Sequence, residues 1–288
     1  MTWTIDDIHI APLVDADCFE IGIDRLFPDA DPRALADHAW LDPHHVDRSR
    51  GMVKLGMHSF LIRTPNLNLL VDTCVGAHKQ RPAHPAWHQR ATNRFIDDLH
   101  AEGLAPDDID LVFCTHLHAD HIGWNTVLDD GRWVPTFPKA RYVLSERELA
   151  FWLDRAAQTG GAINHGSLDD SVLPIVERGQ AMLSAPGDVL APGLRLVALP
   201  GHTIDHLGLE LVRPGGRALF CGDAIHSPAQ LVRPDWTSAF CHDAPLAVAT
   251  RTAMLDWAVE DDLLLFPAHF RDGKAMRIAR HGATYRPA

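Results

Sequence analysis

Cys114-Thr115-His116-Leu117-His118-Ala119-Asp120-His121 follows directly on the apolar run Ile109-Asp110-Leu111-Val112-Phe113-Cys114. In an extended segment alternate side chains share a face, so His116 and His118 can reach one ion together. The step from Asp120 to His121 changes the parity, and a turn through Asp120-His121-Ile122-Gly123 would aim that second pair at a neighbouring ion. Imidazole nitrogen and carboxylate oxygen suit zinc and other borderline divalent ions. A polar loop that happens to be His-rich is the competing reading in a chain with 19 His. Ligand-type residues at these spacings, directly after a buried-looking strand, favour a metal site.

If this stretch begins a two-metal site, further ligands should stand at other strand ends. His202, in Leu199-Pro200-Gly201-His202-Thr203, follows the predicted strand Leu194–Leu199. Asp223, in Phe220-Cys221-Gly222-Asp223-Ala224, follows Arg217–Cys221, and His269, in Phe266-Pro267-Ala268-His269, follows Leu263–Phe266. Folds of the α/β class gather their sites in the loops after strands. Any one of these residues would be an ordinary loop residue. The same feature at successive strand ends points to one site.

The intervening pattern supplies the frame. Ile5–Val14 reads as a strand and Pro32–His45 as a short helix or loop. Gly56–Arg63 and Leu67–Asp72 read as a hairpin around Thr64-Pro65-Asn66. A helix is predicted over Pro85–Glu102, leading to the strand Ile109–Cys114. Arg141–Leu144 reads as a strand, Glu146–Leu153 as a helix and Asp169–Leu183 as a longer helix. His206–Val212 and Arg217–Cys221 are strands joined by the turn Arg213-Pro214-Gly215-Gly216, and Ala244–Val259 is helical. Strands mixed with hairpins and helices imply an α/β fold with mixed sheets and outer helices, in one domain spanning residues 1–288.

Composition narrows the function. The 288 residues are 46% hydrophobic and 22% charged, with a formal net charge of -12. Binding to nucleic acid or anionic membrane needs clustered Lys and Arg, and no such cluster is visible. The five cysteines, at 18, 74, 114, 221 and 241, form no CxxC pair, which excludes a disulfide framework or zinc ribbon. The start Met1-Thr2-Trp3-Thr4-Ile5-Asp6-Asp7 has no signal-peptide character, and no apolar run approaches a membrane span. These features predict a cytoplasmic protein acting on a small molecule.

The motif set resembles that of the metallo-β-lactamase-fold hydrolases, whose HxHxDH signature is read here as His116 to His121. The resemblance extends to the Pro-Gly-His-Thr segment at His202, the Gly-Asp at Asp223 and the late His269, over about residues 55–272. It implies a four-layer αββα sandwich with two mixed sheets and helices on the outer faces. Residues 1–55 would then be an N-terminal extension covering the site. The resemblance also implies two divalent metal ions and a homodimer. By the family pattern His116, His118 and His202 hold the first ion, Asp120, His121 and His269 the second, and Asp223 bridges both. Zinc is the expected metal, although such ligands also hold manganese, cobalt or iron. Asp72 matches a family position that supports a metal-bound His from behind, and His206 is a second candidate for that role.

Branches of the family differ at residues that can be compared. The true β-lactamases replace the residue matching His121 and use a Cys as a late ligand, whereas this chain has His121 and Asp223. Flavodiiron proteins usually carry Glu at the position of His118 and add a flavodoxin domain. The helical domain of glyoxalase II and the large insertion of RNA-processing members are not evident. The lactonase and organophosphate-hydrolase branch is the most similar. Quorum-quenching lactonases place a Tyr three residues after the bridging Asp. This chain has His226 there, which is more similar to methyl parathion hydrolase.

The expected reaction is attack of a metal-bridging hydroxide on a carbonyl carbon or phosphorus of a small, fairly apolar ester, lactone or phosphotriester. Asp120 would orient the nucleophile as well as bind metal. His226 would stabilise the oxyanion or protonate the leaving group, its alternative being a satisfied histidine beside the ligands. Trp124, Trp236 and Phe240 are candidates for an apolar pocket wall, with core packing as the alternative for the Trp residues. His44, His45, His58, His84, His88 and His165 read as surface or packing residues. Hydrolysis of a thioester, β-lactam or aryl halide is the nearest alternative. A di-iron redox protein needing a flavin or persulfide partner is another, and a non-catalytic metal scaffold is the last.

Overall fold

The computed structural model describes residues 1–159 and 163–288. Its internal contacts divide the chain into two units of interleaved sequence, residues 1–15 with 58–185 and residues 16–57 with 186–288.

One sheet, most of whose residues belong to the first unit, has strands in the order Trp3–Ile5, Ile8–Gly22, Met52–Thr64, Leu67–Val71, Leu111–Phe113, Arg141–Ser145 and Ala181–Ser184. The strands from Leu67–Val71 to Ala181–Ser184 pair in parallel, and the predicted hairpin Met52–Thr64 with Leu67–Val71 is antiparallel. Leu70, Val112 and Tyr142 lie side by side in register. They pack in one core with Phe95 and Leu99 of the helix Arg94–Ala101 and Leu149 of the helix Glu146–Thr159. Strands buried on both faces read as continuous apolar runs, which is why the strand feeding the metal motif was legible.

Two predicted helices in this unit are shorter than expected. Only Arg94–Ala101 of the span Pro85–Glu102 is helical. The residues before it are held as a loop by Gln89 N–H to the Lys79 carbonyl (2.8 Å), Arg81 N–H to His88 Nδ1 (3.1 Å) and Arg90 to the Asp15 carboxylate (2.6 Å). The span Asp169–Leu183 breaks into a wide turn at Leu168–Val172, the helix Leu173–Glu177 and the strand Ala181–Ser184. Gly179, at φ 69°, ends that helix as a left-handed residue and frees Ala181–Ser184 to pair with Arg141–Ser145. The hairpin Thr126–Asp129 with Arg132–Pro135 was not foreseen. Its Asp130-Gly131 turn, both residues at positive φ, is a recognised signal.

A buried charge cluster lies in the same unit. Lys79 is fully buried, with Nζ 2.6 Å from Thr126 Oγ1, 3.6 Å from Asp170 Oδ1 and 3.7 Å above the Trp133 ring. Arg81, also fully buried, grips both oxygens of the same Asp170 at 2.6 and 2.8 Å. One carboxylate thus serves two cations, and burial pushes the Lys79 amine down from 10.5 to about 7. Between these values the unfolded chain binds more protons than the folded one, so stability rises with pH across that window and is flat for this group below it. Denaturant titrations should show a gain of roughly 2–4 kcal/mol from pH 7 to pH 9.5 that Lys79→Met removes. Parallel curves for the two proteins would refute the assignment.

The second unit carries the sheet Val189–Ala191, Leu194–Ala198, Leu207–Arg213, Gly216–Gly222 and Leu264–Pro267, in that order. The first strands pair antiparallel, and the last two are parallel, joined through the helix Ala244–Glu260. Met254, Leu255 and Ala258 of that helix pack on Leu219, Cys221 and Leu265. A second cluster gathers Ile21, Leu26, Phe27, Leu35 and Val53 with Trp236. Among the described residues no helix is long and apolar enough to cross a membrane.

Candidate metal centre

In the first unit the chain leaves the strand Leu111–Phe113 and turns back on itself, His121 N–H donating to the His118 carbonyl at 3.0 Å. The His116 ring centroid lies 4.7 Å from that of His118 and 4.1 Å from that of His121. Asp72, at φ 61° just past the strand Leu67–Val71, organises the group from behind. Its carboxylate accepts from Thr115 N–H at 2.7 Å, Thr115 Oγ1 at 2.9 Å and His121 Nδ1 at 2.9 Å. Because the Thr115 hydroxyl donates to Asp72, it can accept from His116 Nδ1, 3.0 Å away. Both rings are thereby set as Nδ1–H tautomers, with Nε2 as the ligand atom. Asp72→Ala should weaken metal binding by about 10- to 100-fold in chelator competition. An unchanged affinity would show that the carboxylate does not act through these rings.

Neighbouring residues complete this cluster, and sequence reading had not singled them out for the site. Glu148 is fully buried and accepts from Trp152 Nε1 at 3.0 Å and from Leu117 N–H at 3.5 Å, while Trp152 stands edge-on to His118 at 5.9 Å. His84 and His165, expected at the surface or in packing, form an aromatic group with Trp87, with centroids 4.5 to 6.5 Å apart. Burial lowers the His165 pKa while Asp120 raises it, so this group lies within electrostatic reach of the motif.

In the second unit Asp223 ends the strand Gly216–Gly222 and is 4% exposed. Its Oδ2 lies 3.2 Å from His202 Nε2 and 3.3 Å from His226 Nε2, and its Oδ1 lies 3.1 Å from His269 Nε2. The potential ligand atoms of His202, Asp223 and His226 all fall within 4.8 Å of one another. Imidazoles arrayed about both oxygens of a buried carboxylate form a donor set that fits borderline divalent cations. His269 Nδ1 is anchored on the Gly56 carbonyl at 2.9 Å, and His202 Nδ1 on Cys241 Sγ at 3.6 Å. Burial raises the Cys241 thiol pKa, so it stays protonated. His206, a candidate support for a metal-bound His, is buried and accepts from the Asp223 backbone N–H through Nε2 at 3.0 Å.

Local sequence sets these positions. Gly201, at φ 121°, brings the His202 loop so close to the helix Ala244–Glu260 that a Cβ there would lie 2.3 Å from Ala247 N. His226 is 3% exposed, its backbone N–H donating to Gln230 Oε1 at 2.7 Å, and Gln230 Nε2 donates to the Trp236 carbonyl at 2.9 Å. Arg251, buried in the helix, bonds the carbonyls of Ala224, Pro234 and Trp236 at 3.3, 2.9 and 2.7 Å. Together they brace the loop that carries Asp223 and His226. Burial holds the His226 imidazole below the ordinary histidine range, against the opposite pull of Asp223. Its Nδ1 has no hydrogen-bond partner among the described residues.

The three candidate wall residues divide. Trp124 is a core residue, stacked on Phe95 at 5.6 Å with its Nε1 donating to Asp15 at 3.2 Å. Trp236 is buried 5.6 Å from Phe27. Large rings contribute most where their whole surface is packed, and the Trp124 N–H finds a carboxylate there. Phe240 is 48% exposed.

A strand-end cluster of His and Asp in each of two mixed αβ units defines a class of metal-binding α/β protein. The metallo-β-lactamase superfamily model matches residues 55–269, and the chain belongs to that superfamily. It is a metal-dependent hydrolase of the metallo-β-lactamase fold. The N-acyl homoserine lactonase AiiB of Agrobacterium fabrum is 26% identical over 217 residues, 68% of this chain and 70% of the relative. The hydrolase AbOPH superposes with a TM-score of 0.81 at 23% identity, covering 99% of this chain and 95% of its own. AidC, a dizinc quorum-quenching lactonase, superposes with a TM-score of 0.80 at 18% identity, covering 100% and 96%. At these identities the structural likeness is one of fold.

Proposed function

We propose that this chain is a binuclear metallohydrolase for a small, fairly apolar ester, lactone or phosphotriester. In this reading His116, His118 and His202 hold one ion, Asp120, His121 and His269 hold the other, and Asp223 is shared. Zinc suits the ligands best, with manganese, cobalt or iron as alternatives. The observation that carries the proposal is the Asp223 carboxylate, whose oxygens face Nε2 of His202 and His226 on one side and of His269 on the other.

When bound, the metals would supply an activated water and polarise the scissile bond. The chain's own residues supply geometry. Asp72 and Thr115 set the tautomers of His121 and His116. The Gly56 carbonyl holds His269. Asp120 orients the attacking water, and His226 directs its ring toward the oxyanion or leaving oxygen. The His226 Nδ1, buried and without a hydrogen-bond partner among the described residues, supports that role, since such a ring nitrogen is suited to a substrate polar group. The net charge of -12 disfavours polyanionic substrates.

Metal analysis followed by a substrate panel tests the proposal. N-acyl homoserine lactones, simple lactones, aryl esters, a phosphotriester, a thioester and a β-lactam should be assayed with and without chelator. Hydrolysis of a lactone, ester or phosphotriester that disappears on metal removal and returns on adding zinc is the expected result. Activity surviving exhaustive metal removal would reject it.

A further inference from the structure

We propose that the Cys241 thiol is the positioning residue of His202, setting its tautomer and thereby the affinity of the metal it binds. The inference rests on the metallohydrolase reading. A ring that ligates through Nε2 must carry its proton on Nδ1, and that proton needs an acceptor. His121 uses the Asp72 carboxylate, His116 the Thr115 hydroxyl and His269 the Gly56 carbonyl. His202 faces sulfur instead, with Cys241 Sγ 3.6 Å from Nδ1. The contact is built in by the backbone on both sides of it. His242 N–H donates to the His202 carbonyl at 2.8 Å, and Asp243 N–H to the Gly201 carbonyl at 2.9 Å. Asp243 then caps the helix Ala244–Glu260 through Leu246 N–H at 3.0 Å, so the thiol is delivered from a fixed helix start.

Sulfur accepts a hydrogen bond more weakly than an oxygen does. His202 is therefore held in its ligating tautomer less firmly than His121 or His269. Removing the thiol leaves Nδ1–H without that acceptor and lets the ring turn or change tautomer. A hydroxyl at the same position can accept the bond again.

The test compares the wild-type chain with Cys241→Ala and Cys241→Ser. Zinc dissociation constants are measured by competition with a chromophoric chelator, and the cobalt-substituted proteins by their visible d–d spectra. Cys241→Ala is expected to weaken one of the two zinc equivalents by on the order of 10-fold or more and to shift the cobalt bands, with Cys241→Ser recovering most of the loss. Melting of the metal-free proteins should stay level, showing that the scaffold is intact. Unchanged zinc affinity in Cys241→Ala overturns the inference and leaves the metallohydrolase reading standing, as does a Cys241→Ser variant as weak as Cys241→Ala. A wild-type chain that takes up no zinc overturns both.

Discussion

Asp223→Ala is expected to abolish hydrolysis and to lower metal content to less than one ion per chain. His202, His226 and His269 each place Nε2 within 3.3 Å of its oxygens, and at 4% exposure no water can replace the carboxylate cheaply. Imidazoles are neutral ligands, so losing Asp223 removes one of the anions that offset the charge of two divalent ions. A fall in kcat/KM of at least about 10³-fold, or ~4 kcal/mol of transition-state stabilisation, is the scale expected when the activated water is lost. Metal analysis of the dialysed variant separates this from a folding defect, provided its far-UV circular dichroism is unchanged. A variant that kept both ions would mean that Asp223 is not the shared ligand.

His226→Phe carries the second large effect and decides between two roles. The ring is buried beside His202 at 4.8 Å and His269 at 5.9 Å, and Phe fills nearly the same space. Its loop is anchored by the backbone N–H to Gln230, which the substitution leaves alone. If His226 acts on the substrate, kcat should fall by about 10²- to 10⁴-fold while metal content stays at the wild-type level. Its Nε2 also lies within the ligand spacing of His202 and Asp223, so loss of an ion in His226→Phe would identify it as a ligand instead. Measuring metal and turnover on the same preparation gives a clear answer either way.

The parts of the fold that were legible are those in which one short segment carries its own signal. The strand before the metal motif and the hairpin Met52–Thr64 with Leu67–Val71 show short apolar runs, and the helix Ala244–Glu260 a long segment rich in apolar residues. The helical periodicity of Pro85–Glu102 misled, because side-chain bonds such as Arg90 to Asp15 fix those residues as a loop. Arg251 and Gln230 gave no signal, since a polar residue on a helix reads as solvated until its carbonyl partners are known.

The candidate ligands of the proposed site were legible in the sequence alone. A metal site needs ligand-type side chains, and candidates stand at strand ends in the chain as HxHxDH, His202, Asp223 and His269. What tertiary structure decided is how each ring is held and which way it faces. The partners that set a tautomer are remote in the chain, 49 residues apart for His121 and Asp72 and 213 for His269 and Gly56. Such pairs leave no local pattern, because only the folded backbone brings a carboxylate, a carbonyl or the Cys241 sulfur within hydrogen-bonding distance of an imidazole nitrogen.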